Sequence, residues 1–238
     1  INGEYCLNVA VEAKKRGVNK FIFASSCSMY GIAEKNFPNE NSELSPMTEY
    51  AKSKVWAEKE LKNISTNEFN IISLRFATAC GASPNLRLDL VLNDLVTSAI
   101  INQHVEVLSD GSPWRPLVHV EDMSRAIKWS IDFKSEKNFL PINIGSKEFT
   151  FQIKDFAKMV VENIPETTIS IATEKAVDSR SYKVDFSLFE KVSGEIYYPK
   201  FNTKRTILDL TECVKNLNIP NNFRKSSAWM RLKHLENN

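Results

Sequence analysis

The sequence predicts an α/β fold built on a largely parallel sheet. Three observations carry that expectation. The runs K-F-I-F-A-S-S (20–26) and N-I-I-S-L-R-F-A (70–77) are apolar over most of their length, as strands buried on both faces are. Segments with apolar residues at helical spacing separate these runs from each other and from later ones. That alternation is the pattern of crossover units rather than of hairpins.

Residues 3–16 place Cys6, Val9, Ala10 and Ala13 at helical spacing, with Gly17 following as a C-cap. Strand 20–26 enters a turn of small residues. Residues 34–46 are polar, contain Pro38 and Pro46, and form a loop. Ser45-Pro46 reads as an N-cap and first-turn proline for a helix over 47–63. Strand 70–77 is followed by a helix over 87–103 and two strand-like runs, H-V-E-V-L-S-D (104–110) and P-L-V-H-V (116–120). A helix over 121–133 and the strand I-N-I-G (142–145) come next. A helix at 152–163, a strand at 168–173 and a helix at 186–192 lead to a last helix near 206–217. The tail, 218–238, is polar, with Trp229 and Leu232 as anchors. No strand precedes the first helix, and runs 20–26 and 70–77 alone would make a sheet too narrow to bury them. The expectation is therefore a sheet lacking its first strands.

Composition bounds function. The 238 residues are 42% hydrophobic and 25% charged, enough for one large domain or one and a half. A net charge of +2 gives no field for nucleic acid, and Lys14-Lys15-Arg16 sits where cations complement a helix dipole. No apolar run approaches the ~20 residues of a membrane span, and no secretory leader pattern is present. The four cysteines form no C-x-x-C and no metal spacing, so reduced thiols in a cytoplasmic protein are expected. The seven glycines make no G-x-G-x-x-G or G-x-x-G-x-x-G, the phosphate-cradling turns of dinucleotide folds.

Chemistry concentrates at two places. In M-T-E-Y-A-K-S-K (47–54), Tyr50 precedes Lys54 by four residues, one face of a helix. A free tyrosine ionises near pH ~10, and a neighbouring cation shielded from water favours the phenolate, as a base acting on an alcohol requires. Upstream, F-A-S-S-C-S-M-Y-G (23–31) puts Ser25, Ser26 and Ser28 at the carboxyl end of a buried strand, where open α/β sheets bind ligands. Ser26 and Ser28 alternate on an extended chain and so share a side.

Together, F-I-F-A-S-S-C-S-M-Y-G and Y-A-K-S-K resemble the extended branch of the short-chain dehydrogenase/reductases, the NAD-dependent nucleotide-sugar epimerases and dehydratases. The resemblance continues at N-G-E-Y-C-L-N-V-A-V-E-A-K-K-R-G-V (2–18), L-R-F-A-T-A-C-G (74–81), D-G-S-P-W-R-P-L-V-H-V-E-D (110–122) and D-S-R-S-Y-K-V-D (178–185). It implies a Rossmann-type doubly wound parallel sheet lacking its first strands, with a smaller α/β substrate-binding lobe. Residues 1–80, interleaved with segments near 116–145, would be the carboxyl-side part of the NAD-binding domain. Residues 81–217 would be mainly the substrate lobe. The resemblance makes Tyr50 the base, Lys54 its activator and a cofactor-ribose contact, and Ser26 with Ser28 the holders of the sugar hydroxyl. Ser25, Tyr50 and Lys54 would touch NAD, with NADP the alternative. Thr78, Asn93, Arg115 and Arg180 would bind a nucleotide-diphosphate sugar, the arginines by gripping its phosphates. His119 is expected as a hydrogen-bonded core residue and Asp122 as a helix cap. A homodimer through the helices around 3–16 and 47–63 is implied too.

Departures from the family pattern narrow this. Where sugar 4,6-dehydratases carry an Asp-Glu pair, the chain has Cys27 and Ser28, which disfavours that dehydration. Cys27 reads as a buried small residue. Thr78 stands where the family usually has asparagine, and Cys80 where it has an aromatic. The expected function is an epimerase acting through a transient 4-keto sugar. The alternatives are an NADPH-dependent 4-keto-sugar reductase and a non-catalytic binding module of the same fold.

Overall fold

In the computed structural model, residues 3–33, 37–174, 180–226 and 228–230 are described. The chain runs α1 (Glu4–Lys15), β1 (Lys20–Ser26), β2 (Ile32–Ala33), α2 (Glu49–Ile64), β3 (Asn70–Phe76), β4 (Thr78–Cys80), α3 (Val91–Asn102) and β5 (His104–Val107). It continues β6 (Trp114–His119), α4 (Val120–Asp132), β7 (Phe139–Ile144), β8 (Thr150–Gln152), α5 (Ile153–Asn163), β9 (Thr168–Ile171), β10 (Ser181–Tyr182), α6 (Ser187–Tyr197) and α7 (Thr203–Lys215). The expected α/β fold with a parallel sheet is what forms.

The main sheet is β1-β3-β7, all parallel, with Ser26 opposite Phe76 and Phe76 opposite Ile144. Alternation in β3 explains its sequence. Ile71 packs with Ala10, Ala57 and Leu61 under α1 and α2. Ile72 and Leu74 pack on the opposite face with Ala126, Trp129 and Phe189 of α4 and α6. Ser73 and Arg75 share the α2 face with Ile71, and both bond the carboxylate of Glu58. A separate core gathers α3, α5 and α7 around Leu92, Val96, Phe156, Val160, Ile207 and Leu210.

Sheet edge β7 is closed. Ile71 donates its amide to Asn138 O and Ala77 to Ile144 O, so even-numbered positions of β7 face β3 and odd ones face out. Among the outward positions, Pro141 has no N–H, and Asn143 donates its N–H to Glu40 Oε1 at 2.8 Å.

Several boundaries differ from the sequence expectation. The cap of α2 is Thr48, whose hydroxyl accepts the Ala51 amide at 3.1 Å, while the Ser45 amide donates to Met29 O. Residues 87–90 stay outside α3 because Arg87 forks onto Asp89, 3.0 and 2.8 Å away. The cap of α4 is His119, its Nδ1 accepting the Glu121 amide. Asp122 instead accepts the amides of Lys200 and Phe201 and pairs with Arg125. Asn202 caps α7, which therefore starts at Thr203. Short pairings were not legible: β2 with β10, and β4 and β8 flanking β6.

The polar tail is packed. Phe223 is fully buried. Arg224 forks onto Asp94 at 2.8 Å and reaches Glu106 at 3.0 Å. Trp229 packs on the α3/α5/α7 core, and its carbonyl accepts the Leu88 amide at 3.3 Å. Leu232, the other expected anchor, lies outside the described residues. No helix among the described residues is long and apolar enough to cross a membrane.

Candidate active site

Ser26 ends β1 in extended conformation, and its hydroxyl caps the 3-10 turn Cys27–Tyr30 by accepting the Ser28 amide at 3.2 Å. The hydroxyls of Ser26 and Ser28 are 2.9 Å apart. The chain turns at once after Ser26, so the two meet through the turn and not by strand alternation. Gly31 then adopts φ 69°, and a Cβ there would sit 2.1 Å from Ser45 O. Only glycine lets the following loop fold back this closely over the turn.

Thr48 fixes the first turn of α2, which places Tyr50 and Lys54 on one face. The Lys54 ammonium donates to Ala24 O at 2.8 Å, 4.7 Å from the Phe23 ring centre and 5.5 Å from that of Tyr50. Burial pushes the Lys54 ammonium below its usual range, against the charges of Cys6 and Glu58. Burial pushes the half-exposed Tyr50 phenol up, while a hydrogen bond with Ser26 and the charge of Arg87 act downward. Tyr50, Ser26 and Ser28 thus form one row of hydroxyls beside an anchored ammonium.

Besides Lys54, whose ammonium stands 5.5 Å from the Tyr50 ring centre, the charge of Arg87 acts downward on the phenol. Lys54 aims at a backbone carbonyl and lies over the face of the tyrosine ring. Sequence reading missed Arg87 by assigning L-R-L-D to a helix. Pro84-Asn85 just before it is a turn signal, and Arg87 and Asp89 are two apart, a spacing that does not pair on a helix.

Other expected site residues divide. Ser25 is buried, its hydroxyl donating to Met29 Sδ at 3.6 Å, away from the hydroxyl row. Cys27 is fully buried, its thiol bonded to Arg75 O and pushed up by desolvation, which is the small buried residue expected. Thr78 begins two residues past Phe76, the register partner of Ser26, and so stands at the same end of the sheet. Its hydroxyl lies 3.4 Å from the Tyr182 hydroxyl. Thr78 pairs with Leu117 across β4 and β6, which brings Arg115 to this end too. Arg115 is buried, donates to Trp114 O and Arg180 O, and stands 5.7 Å from the Tyr182 ring centre. Burial raises Tyr182, and the Thr78 hydroxyl and both arginine charges oppose it. The structure therefore gathers Thr78, Arg115 and Arg180 around Tyr182, a residue the sequence reading did not single out.

Asn93 is almost fully buried and uses both ends of its amide inside the chain. Its Oδ1 accepts the Gly81 amide and its Nδ2 donates to Arg87 O. It shapes the 81–87 loop. His119 is fully buried as expected, stacked 3.6 Å from Phe201. With Nδ1 accepting from Glu121, its Nε2 donates to Asp209, which also accepts the Ala82 amide. Gly81 has φ 100°, and a Cβ there would lie 2.1 Å from His119 Nε2, so the loop begins hard against this histidine.

A buried network backs α2. Glu58, one turn beyond Lys54, takes Arg75 Nε at 3.0 Å and Nη2 at 2.6 Å. Arg75 Nη1 donates to the Tyr30 hydroxyl, which donates to Asn143 Oδ1 at 2.8 Å. Burial pushes the Tyr30 phenol upward.

Residues 1–145 match the model of the NAD dependent epimerase/dehydratase family. An uncharacterized UDP-glucose epimerase of Bacillus subtilis (strain 168) is 28% identical over 116 residues, 48% of this chain and 35% of that protein. The UDP-glucose 4-epimerase of the same organism is 28% identical over 141 residues, 52% of this chain and 41% of that one. The chain thus matches well under half the length of these relatives. Among solved structures, UDP-glucuronic acid 4-epimerase from Bacillus cereus, in complex with UDP-glucuronic acid and NAD, superposes with a TM-score of 0.74. It is 21% identical, over 90% of this chain and 67% of that one, a likeness of fold. The family match covers more than half the chain and takes in Ser26, Tyr50 and Lys54, so the chain belongs to the NAD dependent epimerase/dehydratase family.

Proposed function

We propose that this chain works in an NAD-dependent nucleotide-sugar epimerase acting through a transient 4-keto sugar. The observation that carries the reading is the row of Tyr50, Ser26 and Ser28 hydroxyls beside Lys54, at the carboxyl end of a parallel strand. A sugar hydroxyl laid against Ser26 and Ser28 presents its proton to the Tyr50 oxygen, and the phenolate takes it. Ser26 and Arg87 both favour that phenolate.

Bound NAD would supply the hydride acceptor and donor that such an oxidation and re-reduction need. An ammonium and a phenol standing together at the strand end suit the hydroxyls of its ribose, so Lys54 and Tyr50 fit a role in holding it. Ser25 does not fit, because its hydroxyl is turned to Met29. Inversion requires the keto sugar to show its other face while the nucleotide stays held. Arg115 and Arg180, beside Thr78 and Tyr182, are the proposed grip on the diphosphate. In this reading residues 1–80 with 116–145 form the cofactor side and 81–217 mainly the substrate side.

A homodimer through α1 and α2 is part of the proposal. Tyr5 and Val9 on α1 and Trp56 on α2 are exposed large apolar side chains on that helix pair. Sedimentation of the purified protein tests it, and a monomer at micromolar concentration counts against it.

Turnover of UDP-glucose-type substrates tests the chemistry. Interconversion of the 4-epimers with no net change in the reduced cofactor supports the epimerase. Stoichiometric oxidation of added NADPH would sink it in favour of a reductase.

A further inference from the structure

A cavity of about 970 Å³ opens behind α2, between that helix, strand β7 and the 40–44 stretch. It lies on the flank of α2 turned away from α1, since Val55, Glu58, Lys59 and Lys62 line it while Trp56 packs on Gly3. Three exposed lysines frame it: Lys59 and Lys62, one helical turn apart, and Lys137 before β7. Among the described residues, none of these three ammoniums has a carboxylate at ion-pair distance; the pairs formed lie elsewhere. Like charges at this spacing on a helix repel.

The two carboxylates of the lining do not answer them. Glu58 is clamped on Arg75, and Glu40 holds the Asn143 amide. The rest of the wall includes Val55, Phe139 and Pro141, an apolar surface. A concave, mainly apolar space with a few convergent charges, of this volume, is the form of a small-molecule site. An extended peptide does not suit it, because the β7 edge that would pair with one has lost its donors at Pro141 and Asn143.

We propose that this cavity binds a small organic anion, its carboxylate or phosphate held by Lys59, Lys62 and Lys137 and its apolar body laid on Val55, Phe139 and Pro141. The site is separate from the Tyr50 cleft, since none of Ser26, Ser28, Tyr50 and Lys54 lines it.

Anilinonaphthalene sulfonate, an anion with an aromatic body, is the probe. Its fluorescence titration on the purified chain should show one saturable site. The dissociation constant should rise at least tenfold when Lys59→Ala and Lys62→Ala are combined, and again with Lys137→Ala. Tyr50→Phe should leave it unchanged. Because all three lysines are exposed, circular dichroism should show the variants folded. Amide resonances of residues 55–65 and 137–140 should shift on titration. Decanoate and adenosine monophosphate compete in separate arms, and displacement by one of them identifies a carboxylate or a phosphate head. Unchanged affinity in the folded lysine variants, shifts confined to other segments, or displacement by neither competitor would overturn the proposal.

Discussion

The Lys54 ammonium donates to the carbonyl oxygen of Ala24 at 2.8 Å, tying α2 to the strand that ends in Ser26. The lysine is therefore first a strut: it sets how far Tyr50 stands from the serine hydroxyls. Lys54→Met keeps the length and removes the charge and the donor. We expect activity to fall by 10²-fold or more, with the substrate KM changed less than kcat. Steady-state kinetics of the variant against the unaltered protein checks this.

Tyr50→Phe removes the proposed base and little else, since the ring is half-exposed and makes few buried contacts. Turnover should fall by roughly 10²–10⁴-fold, the range for loss of general acid–base catalysis. Stability should stay within about 0.5 kcal/mol. A variant that turns over at the native rate would leave the phenol without a catalytic part.

Arg87→Ala takes away the positive charge that favours the Tyr50 phenolate. With that influence gone and burial unchanged, the phenol should ionise at higher pH than in the native protein. The ultraviolet phenolate signal, taken as the difference from Tyr50→Phe, reports it. No upward movement would mean that the charge does not reach the phenol.

Glu58→Ala leaves the Arg75 guanidinium buried without its carboxylate. Loss of one partner of a buried pair costs about 3–5 kcal/mol. Lys52→Ala breaks the exposed pair with Glu49 and should cost about 0–1 kcal/mol. Urea denaturation of both variants separates a structural ion pair from a solvated one.

Glu40 supplies a pH signature. Burial raises its carboxyl above the ordinary 4.5, despite the hydrogen bond from Asn143. The folded protein therefore binds this proton more tightly than the unfolded chain does. Its contribution to stability is complete below the unfolded value and is lost as pH rises through the folded one. Glu40→Gln keeps an oxygen for the Asn143 amide and removes the titration. Relative to the native protein, the variant should gain stability between pH ~4 and neutrality, read from urea midpoints across that window.

Elements built on long apolar periodicity were legible before any coordinates. Strands 20–26 and 70–76 lie where the runs placed them, but only β3 is buried on both faces; β1, expected to be so too, is largely half-buried with Ala24 exposed. Tyr50 and Lys54 share a helix face because i, i+4 geometry is local. What local pattern could not show were partners far apart in sequence. Thr48 rather than Ser45 caps α2, because the helix begins only at Glu49 and the Ser45 stretch is tied back to Met29 O. Tyr182 meets Thr78 across 104 residues, and Arg87 forks onto Asp89 outside α3. The hydrogen bonds of Asn93 to Gly81 and Arg87 are likewise features of the fold that no local pattern signals.

The bond from the Leu88 amide to the Trp229 carbonyl makes the far end of the folded chain a buttress for the segment that carries Arg87. A protease cut just after Phe223, or a bulky fusion joined near Trp229, would thus disturb the chemistry of a cleft that neither one touches.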